Sequence, residues 1–353
     1  MQIHVSPPGI AHGQYDMTTD EVAAVLCRRH PELAGHPDFL TAARAVTGRR
    51  RRRIRPCPDD RVHEPYAAED RHGDLRVLMG QACRRALTSA GTAAQDVGGL
   101  VVVQDPPSAE SDPFLDSDVV LTLGLPSTTA RVPLTGLSST GAVHALIVAE
   151  DMARLGKPVL VVAAGIHQPL TAIGSDTATP AALARQLMVS DGAAAVVVSG
   201  GALAERGLVI DATWQYAHRD TQVSAQAEQL GCLVKDHPGF SALPWLRPGQ
   251  TPPGFALVHP GGPAPLHSLS QAGPLPQQAL EPSIVGIAED GDSGAAAVLQ
   301  LLARLHQRPP AAGSHGLLLG LAPGHLAAAC RVRWTTSAIP RQKQPKSAHE
   351  AAF

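Results

Sequence analysis

Uninterrupted runs of Val, Leu and Ala recur along the chain and alternate with segments of helical periodicity. Apolar residues at helical spacing predict a helix from Leu75 to Ala90, and small apolar residues predict two more over 141–154 and 293–307. Strands covered on both faces have continuous apolar runs, and we predict such strands at 100–103, 158–165, 193–201, 254–262 and 316–324. Their alternation with helices indicates an α/β fold.

The order of buried strand, turn and helix occurs in both parts of the 353-residue chain. We therefore divide it into an N-terminal segment, 1–46, two similar halves, 47–203 and 204–335, and a tail, 336–353. The length suits one large domain or two coupled domains. The composition of the last stretch is typical of a mobile tail.

Composition and charge exclude several classes of function. Lys and Arg number 29 against 31 Asp and Glu, a net charge of −2, whereas a nucleic-acid partner needs a cationic face. No apolar stretch is long enough to cross a bilayer, and the N-terminus lacks the features of a secretory signal. Five scattered cysteines without a CxxC pair, and no metal-binding or nucleotide-binding motif, predict a cytoplasmic protein without a metal or nucleotide cofactor.

Small residues that end a loop and open a helix form the segment Gly136-Leu137-Ser138-Ser139-Thr140-Gly141. A hydroxyl group at a helix N-terminus faces free backbone N–H groups and the positive end of the helix dipole. This position suits a nucleophile whose acyl adduct develops negative charge on oxygen. The alternative is that Ser138 or Ser139 is an ordinary N-cap.

Two other segments carry candidate chemistry. His259 leaves a predicted strand into a Gly-rich turn, 260–263, where an imidazole can act as a general base. Asp292 lies in an acidic and Gly-rich segment, 289–294, which again opens a helix. Each has a structural alternative: a hydrogen-bonded buried histidine and a helix-capping aspartate.

Together these segments resemble the type III polyketide synthases, the chalcone-synthase-like branch of the thiolase superfamily. The resemblance runs from about Val46 to Trp334, and it depends on the order and spacing of many segments rather than on any one. The landmarks are GRRRRRIRP (48–56), LDSDVVLTLGLP (115–126), GLSSTGA (136–142), VLVVAAG (159–165), Ser175-Asp176-Thr177, SDGAAAVVV (190–198), LVKDHPG (233–239), HPGGP (259–263) and GLAPG (320–324).

The resemblance implies a thiolase fold, five-layered αβαβα with two similar halves, assembled as a homodimer. It also implies a coenzyme A thioester as substrate, with no other cofactor. The oxyanion hole and adjoining pocket would include Gly320, Leu321 and Gly324. Two Phe residues that gate the family's cavity fall near Val189 and Gly231, which implies a wider pocket. The basic segment that helps bind coenzyme A phosphates maps onto Arg50, Arg51, Arg52 and Arg53; the alternative is a solvated charged run.

The catalytic residues of the family are Cys, His and Asn. The histidine maps onto His259 and the asparagine position falls on Asp292. The bacterial family pattern G-L-G-C-A-G-G places the cysteine on Ser139, whereas C-x-x-G alone places it on Ser138. We prefer Ser139; with either serine, two of the three catalytic residue types differ from the family.

Serine and aspartate change the chemistry expected of this site. A serine hydroxyl is far less acidic than a thiol and needs a base to remove its proton during attack. An ionised Asp292 cannot donate a hydrogen bond to an enolate, but it stabilises a protonated His259. We therefore predict an acyltransferase or a thioester or ester hydrolase with Ser139 as nucleophile, His259 as base and Asp292 as its partner. The acyl donor would be acyl-CoA or an acyl-carrier-protein thioester, and the acceptor water, an alcohol or an amine.

Three alternatives stay open. The first is a condensing polyketide synthase that decarboxylates malonyl-CoA, either without covalent loading of the acyl group or with Ser139 in place of a native cysteine. The second is a catalytically degenerate subunit that pairs with an active synthase. The third is an α/β-hydrolase that uses Ser138, Asp292 and His315, although its G-x-S-x-G motif is incomplete.

Overall fold

A computed structural model describes residues 1–54, 68–104, 114–167, 179–201, 203, 207–217, 242–247, 249–259, 266, 269–270, 275–322 and 326–335. The strands of this part of the chain are β1 (Ile3–Val5), β2 (Gly9–His12), β3 (Tyr15–Thr18), β4 (Arg50–Arg53), β5 (Gly99–Gln104), β6 (Ala130–Leu134), β7 (Val159–Gly165), β8 (Gly192–Ser199), β9 (Leu208–Ala217), β10 (Phe255–His259), β11 (His315–Leu321) and β12 (Leu326–Trp334).

The α-helices of the same residues are α1 (Thr19–Arg29), α2 (Pro37–Ala45), α3 (Ala68–Ala90), α4 (Leu115–Leu123), α5 (Gly141–Ala153), α6 (Pro180–Arg185), α7 (Gln277–Asp290) and α8 (Ala297–Gln307). Short 3₁₀ segments lie at Pro31–Gly35, Ala94–Asp96, Ser138–Thr140, Pro244–Leu246 and Gly294–Ala296. None of the described helices is both long and apolar enough to cross a bilayer.

The predicted strands and helices are found where the apolar runs placed them. The five strands predicted as buried are β5, β7, β8, β10 and β11, and the predicted helices are α3, α5 and α8. Helix α3 begins at Ala68, seven residues before its predicted start at Leu75. The segment 1–46, which we separated from the two halves, contributes β1 and β2 to the main sheet.

The main sheet consists of two halves with the same strand order. The corresponding strands run β5-β7-β8-β1 in one half and β10-β11-β12-β9 in the other, and the first half has in addition β6 beside β5 and β2 paired with β8. Among the corresponding strands, the first pair of each half is parallel and the other pairs are antiparallel. The halves join through the antiparallel pair of β1 and β9. This repeated order confirms the two similar halves.

Helices lie between the two halves and on both outer faces. The apolar helix α5 packs against strands of both halves, and α8 packs against α5, β8 and β10. On the outer faces, α3 covers β7 and β8, whereas α7 covers β10. These layers confirm the predicted five-layered αβαβα arrangement. The 3₁₀ segments that open α5 and α8 contact each other, so the segment of Ser139 meets the segment that directly follows Asp292.

Candidate active site

Ser139 lies in the short 3₁₀ segment that opens α5, and it is 6% exposed. Its Oγ donates a hydrogen bond of 2.6 Å to the carbonyl oxygen of Leu321, at the end of β11. A Cβ atom on the preceding Gly320 would lie 2.7 Å from the carbonyl oxygen of Ser139 and 2.6 Å from the Cα of Thr140. Only glycine therefore lets β11 approach the serine segment this closely.

The neighbouring Ser138 has a φ of +45°, the one non-glycine residue with a positive φ in the described chain. The left-handed region costs an L-residue about 1–2 kcal/mol and is comfortable for glycine. Ser138 is the position where the family pattern G-L-G-C places a glycine directly before the nucleophile. The backbone therefore favours Ser139 over Ser138 as the residue that corresponds to the family cysteine.

This strain leads to a stability prediction. Ser138→Gly is expected to have a free energy of unfolding about 1 kcal/mol higher than Ser138→Ala, because both variants lose the hydroxyl but only glycine adopts this φ without cost. Urea unfolding of the two variants gives the comparison. Equal stability would show that Ser138 is not strained in solution.

His259 is the last residue of β10 and is 2% exposed. In the parallel pair of β10 and β11 it lies in register with Gly320. Neighbouring strands are about 4.8 Å apart, so His259 lies one strand away from the glycine against which Ser139 packs. The sheet thus brings the predicted nucleophile segment and the predicted histidine to one end of β10 and β11.

Asp292 is fully buried next to His259. Its Oδ1 lies 2.6 Å from His259 Nε2 and accepts a second hydrogen bond of 2.7 Å from the backbone N–H of Gly294. Burial opposes ionisation of this carboxyl group, but the imidazole of His259 and its hydrogen bond outweigh burial and hold the pKa of Asp292 well below its usual range. An ionised carboxylate only accepts hydrogen bonds, so Nε2 of His259 carries the proton.

The main chain of Asp292 is held as firmly as its side chain. Its N–H donates to the carbonyl oxygen of Met188 at 2.7 Å, and its own carbonyl accepts from the N–H of Ser190 at 2.8 Å. Val189, which we predicted to line the pocket, lies between these two residues and forms a parallel β-bridge with Asp292. Val189 is buried.

The contacts do not form the proton relay of a serine hydrolase. In such a relay the carboxylate holds one imidazole nitrogen, and the other nitrogen bonds to the serine hydroxyl. Here Ser139 Oγ donates to a backbone carbonyl, while Nδ1 of His259 and Oδ2 of Asp292 are buried and have no hydrogen-bond partner among the described residues. The predicted Ser–His–Asp hydrolase mechanism therefore gains no support from these contacts.

A further histidine, His167, contacts the same aspartate. Its Nε2 lies 3.1 Å from the carbonyl oxygen of Asp292, and its backbone N–H donates to Oδ1 of Asp191 at 2.8 Å. Burial lowers the pKa of His167, and the nearby carboxylates of Asp191 and Asp292 oppose this shift. His167 is not among the site residues predicted from the sequence. The sequence pattern that selects His259 also applies to His167, because His167 follows the buried strand β7 just as His259 ends β10.

The α/β-hydrolase alternative is wrong on geometry. His315 begins β11, five residues before Gly320, which is about 16 Å along an extended strand. Its side chain is 66% exposed and lies 3.7 Å from Asp211. Ser138 and Asp292 therefore lack His315 as a partner.

The structure also separates the four arginines predicted to bind coenzyme A. Arg51 is fully buried and Arg53 is 4% exposed. Arg51 donates to backbone carbonyls, and Arg53 donates to the main chain and side chain of Gln186. Buried groups used in this way are not available to a phosphate, so the prediction is corrected for Arg51 and Arg53. The outward-facing Arg50 and Arg52 both lie near Asp16, at 3.5 and 3.6 Å.

Two predicted pocket residues, Gly231 and Gly324, lie outside the described residues, as do 260–263 of the HPGGP segment. Within the described residues, no three His, Cys, Asp or Glu side chains are grouped so that they could hold a metal ion.

Comparison with known proteins identifies the family. The chain is 30% identical to the 1,3,6,8-tetrahydroxynaphthalene synthase of Streptomyces peucetius subsp. caesius, over 73% of this chain and 72% of that protein. It is 27% identical to the synthase of the same name from Streptomyces coelicolor, over 95% and 93% of the two chains. A solved structure of the S. coelicolor synthase is described as a bacterial type III polyketide synthase. The chain belongs to the type III polyketide synthase family.

Solved structures agree with this assignment at the level of the fold. Germicidin synthase from S. coelicolor, a type III polyketide synthase, has a TM-score of 0.78 at 24% identity, over 95% of this chain and 100% of that one. The S. coelicolor tetrahydroxynaphthalene synthase has a TM-score of 0.74 at 23% identity, with the same coverage. No family model matches the chain. The thiolase fold of the type III polyketide synthases is thus shared by this protein.

Proposed function

We propose that this protein is a condensing type III polyketide synthase, which extends an acyl group by decarboxylative carbon–carbon bond formation from malonyl-CoA. The observation that carries the proposal is the buried contact between His259 and Asp292 in a chain of this family. It lies at the end of β10, one strand from Gly320, against which Ser139 packs. We further propose that it acts as a homodimer in the cytoplasm. This replaces the hydrolase of the sequence analysis, because the hydroxyl and imidazole do not form the relay which that chemistry needs.

The proposed reaction begins with a malonyl thioester whose carbonyl oxygen faces His259. The bond between the α-carbon and the carboxylate breaks, CO₂ leaves, and the electron pair remains as an enolate. The proton on Nε2 of His259, which Oδ1 of Asp292 accepts in the resting site, is shared with the enolate oxygen and stabilises it. The α-carbon then attacks the acyl carbonyl, and the bond from that carbonyl to its leaving oxygen or sulfur breaks. A leaving Ser139 oxygen takes back the proton that the base removed during loading, and a leaving coenzyme A thiolate takes a proton from solvent.

Ser139 is the proposed acceptor of the starter acyl group. Its hydroxyl now donates to the carbonyl of Leu321, which cannot take the proton away. Loading therefore requires the hydroxyl to turn from Leu321 towards a base, and His259 is the proposed base because it lies one strand from Gly320. Direct attack of the enolate on a bound acyl-CoA, without loading, is the alternative route.

Release of CO₂ from malonyl-CoA tests the proposal. The wild-type protein, given malonyl-CoA and a panel of starter acyl-CoAs or acyl-carrier-protein thioesters, is expected to release CO₂ together with free thiol. His259→Ala is expected to lower this rate by about 10²–10³-fold, because the enolate loses its hydrogen-bond donor. His315→Ala, which removes an exposed imidazole far from Gly320, should leave the rate unchanged.

The alternatives give different results in the same assay. A hydrolase releases free acid and thiol without CO₂. A degenerate subunit releases neither, and its Ser139→Ala variant behaves as wild type in every assay. If loading occurs on Ser139, Ser139→Ala prevents formation of an acyl adduct on the peptide that contains it, whereas Ser138→Ala does not.

A further inference from the structure

The arginine run forms strand β4, and its two faces differ. Alternate side chains of a strand point to opposite sides, so Arg50 is exposed and Arg52 half-buried, while Arg51 and Arg53 face the interior. A buried guanidinium group is costly unless its donors are paired. The partners of Arg51 therefore indicate what the inward face of this strand does.

Arg51 connects two segments that are distant in sequence. Its Nε donates to the carbonyl oxygen of Leu187 at 2.7 Å, and its Nη2 donates to that of Ala288 at 3.2 Å. Its Nη1 lies 3.3 Å from the same carbonyl of Ala288 and 3.4 Å from that of Glu289. The carbonyls of Ala288 and Glu289 are among the last of α7, and the helix dipole favours a cation at this end of a helix.

The two segments held by Arg51 are the ones that hold Asp292. Leu187 directly precedes Met188, whose carbonyl accepts from the N–H of Asp292 at 2.7 Å. On the other side, Glu289 lies three residues before Asp292, at the end of α7. The guanidinium group of Arg51 thus joins the two chain segments that pair through the β-bridge of Val189 and Asp292.

Ser190 connects its own segment, which follows Leu187, both to β4 and to the end of α7. The Oγ of Ser190 accepts from the backbone N–H of Arg52 at 3.2 Å and donates to the carbonyl oxygen of Asp290 at 2.7 Å. The residue between Asp290 and Asp292 is Gly291, with a φ of +82°; a Cβ there would lie 2.5 Å from Ser190 Oγ and 3.1 Å from Arg51 Cδ. The turn into Asp292 is therefore packed directly on Arg51 and Ser190.

We infer that Arg51 is a positioning residue, which fixes the place of the Asp292 carboxylate against His259 by joining the main chain at Leu187 to the end of α7. The inward-facing Arg51 of β4 thus stabilises the active site. If β4 binds coenzyme A, the outward-facing Arg50 and Arg52 are the residues available for it. The inference rests on the proposed function only in so far as the His259–Asp292 contact takes part in the reaction.

Two measurements on Arg51→Lys test the inference. Lysine keeps the charge, but its single ammonium group does not reproduce the separate, fixed positions of Nε and Nη2 from which arginine donates to Leu187 and Ala288. We expect the downfield proton resonance of His259 Nε2–H, identified by its loss in His259→Gln, to shift or broaden. We also expect kcat for CO₂ release, per folded protein, to fall about 10-fold, with KM for malonyl-CoA changed less than about 2-fold. Arg44→Lys, on the exposed side of α2, should change neither.

Three results would overturn the inference. One is a raised KM with unchanged kcat, which would make Arg51 a phosphate-binding residue. Another is a lower unfolding temperature with kcat and the His259 resonance both unchanged, which would leave only a structural role. If Arg51→Lys does not fold, Ser190→Ala is measured instead. The third overturning result is then that both the His259 resonance and kcat are unchanged in Ser190→Ala. The His259 resonance can be measured without turnover. It therefore tests the positioning role of Arg51 even when the wild-type protein is inactive and the proposed function fails.

Discussion

Replacing Asp292 with asparagine is expected to raise kcat/KM for the decarboxylation of malonyl-CoA by about 10²-fold. The amide oxygen can keep the two hydrogen bonds that Oδ1 accepts, from His259 Nε2 and from Gly294 N–H. The amide NH₂ then occupies the place of Oδ2, which is buried and has no hydrogen-bond partner in the part of the chain that the structure describes. The site gains a donor for the enolate oxygen and loses a charge that repels the malonyl carboxylate.

The charge of Asp292 that this substitution removes is expected to be present across the whole neutral pH range. Burial raises the pKa of Asp292, but His259 outweighs burial and holds this pKa below its ordinary value. The wild-type carboxylate therefore stays ionised until strongly acidic pH. Because this pKa is lowered in the folded state, the stability contributed by the ionised carboxylate is present at neutral pH and is lost only as the pH falls towards the lowered pKa. The difference in free energy of unfolding between the wild type and Asp292→Asn, followed from neutral to acidic pH, checks this.

The same substitution separates condensation from relay hydrolysis. In a Ser–His–Asp hydrolase, Asp→Asn lowers kcat by about 10⁴-fold, because the imidazole takes the wrong tautomer. A large loss of thioester turnover in Asp292→Asn would therefore restore the hydrolase interpretation. Asp290→Asn is the matched control, because Asp290 is exposed and pairs with Arg304.

Replacing Ser139 with cysteine is expected to raise the rate of chain extension by about 10²-fold, if the starter is loaded on this residue. A thiol with a pKa near 8.5 is partly ionised at neutral pH, whereas a serine hydroxyl is not. The thioester formed on cysteine is also a better acyl donor to a carbon nucleophile than an oxyester. The weaker thiol donor loses the bond to Leu321, at a cost of about 1 kcal/mol in stability.

Ser138→Cys is the control for this prediction, because the two serines are adjacent and carry the same group. An equal or larger gain from Ser138→Cys would place the nucleophile on Ser138, against the strained φ at that residue. No gain from either cysteine, with CO₂ release intact, would show that the enolate attacks acyl-CoA directly. Measuring extended product per released CO₂ distinguishes these cases.

The sequence predicts the α/β architecture because its central strands are pure apolar runs. β5, β7 and β8 are buried along their whole length, so their pattern has little ambiguity. Elements at the margins are harder to predict. Helix α7 contains Pro282, which breaks the helical pattern, and β9 is buried only over its first three residues.

The sequence also predicts which side chains meet, but not how they meet. His259 and Asp292 lie at the ends of predicted elements and form a contact of 2.6 Å. The identity of the bonded nitrogen, and the bond from Ser139 to Leu321, depend on how β10 and β11 lie against the start of α5. Charge patterning is misleading for the same reason: a run of arginines suggests an exposed surface, yet β4 turns Arg51 and Arg53 inward.

Incorporation of malonyl carbon into a product tests the central claim most directly. Purified protein is incubated with a starter acyl-CoA and malonyl-CoA labelled with ¹³C in its methylene carbon, and the products are identified by mass spectrometry. We predict an acyl product lengthened by labelled two-carbon units, absent in His259→Ala. A product consisting only of the unextended acid or its transfer ester, with no labelled carbon, would contradict the account.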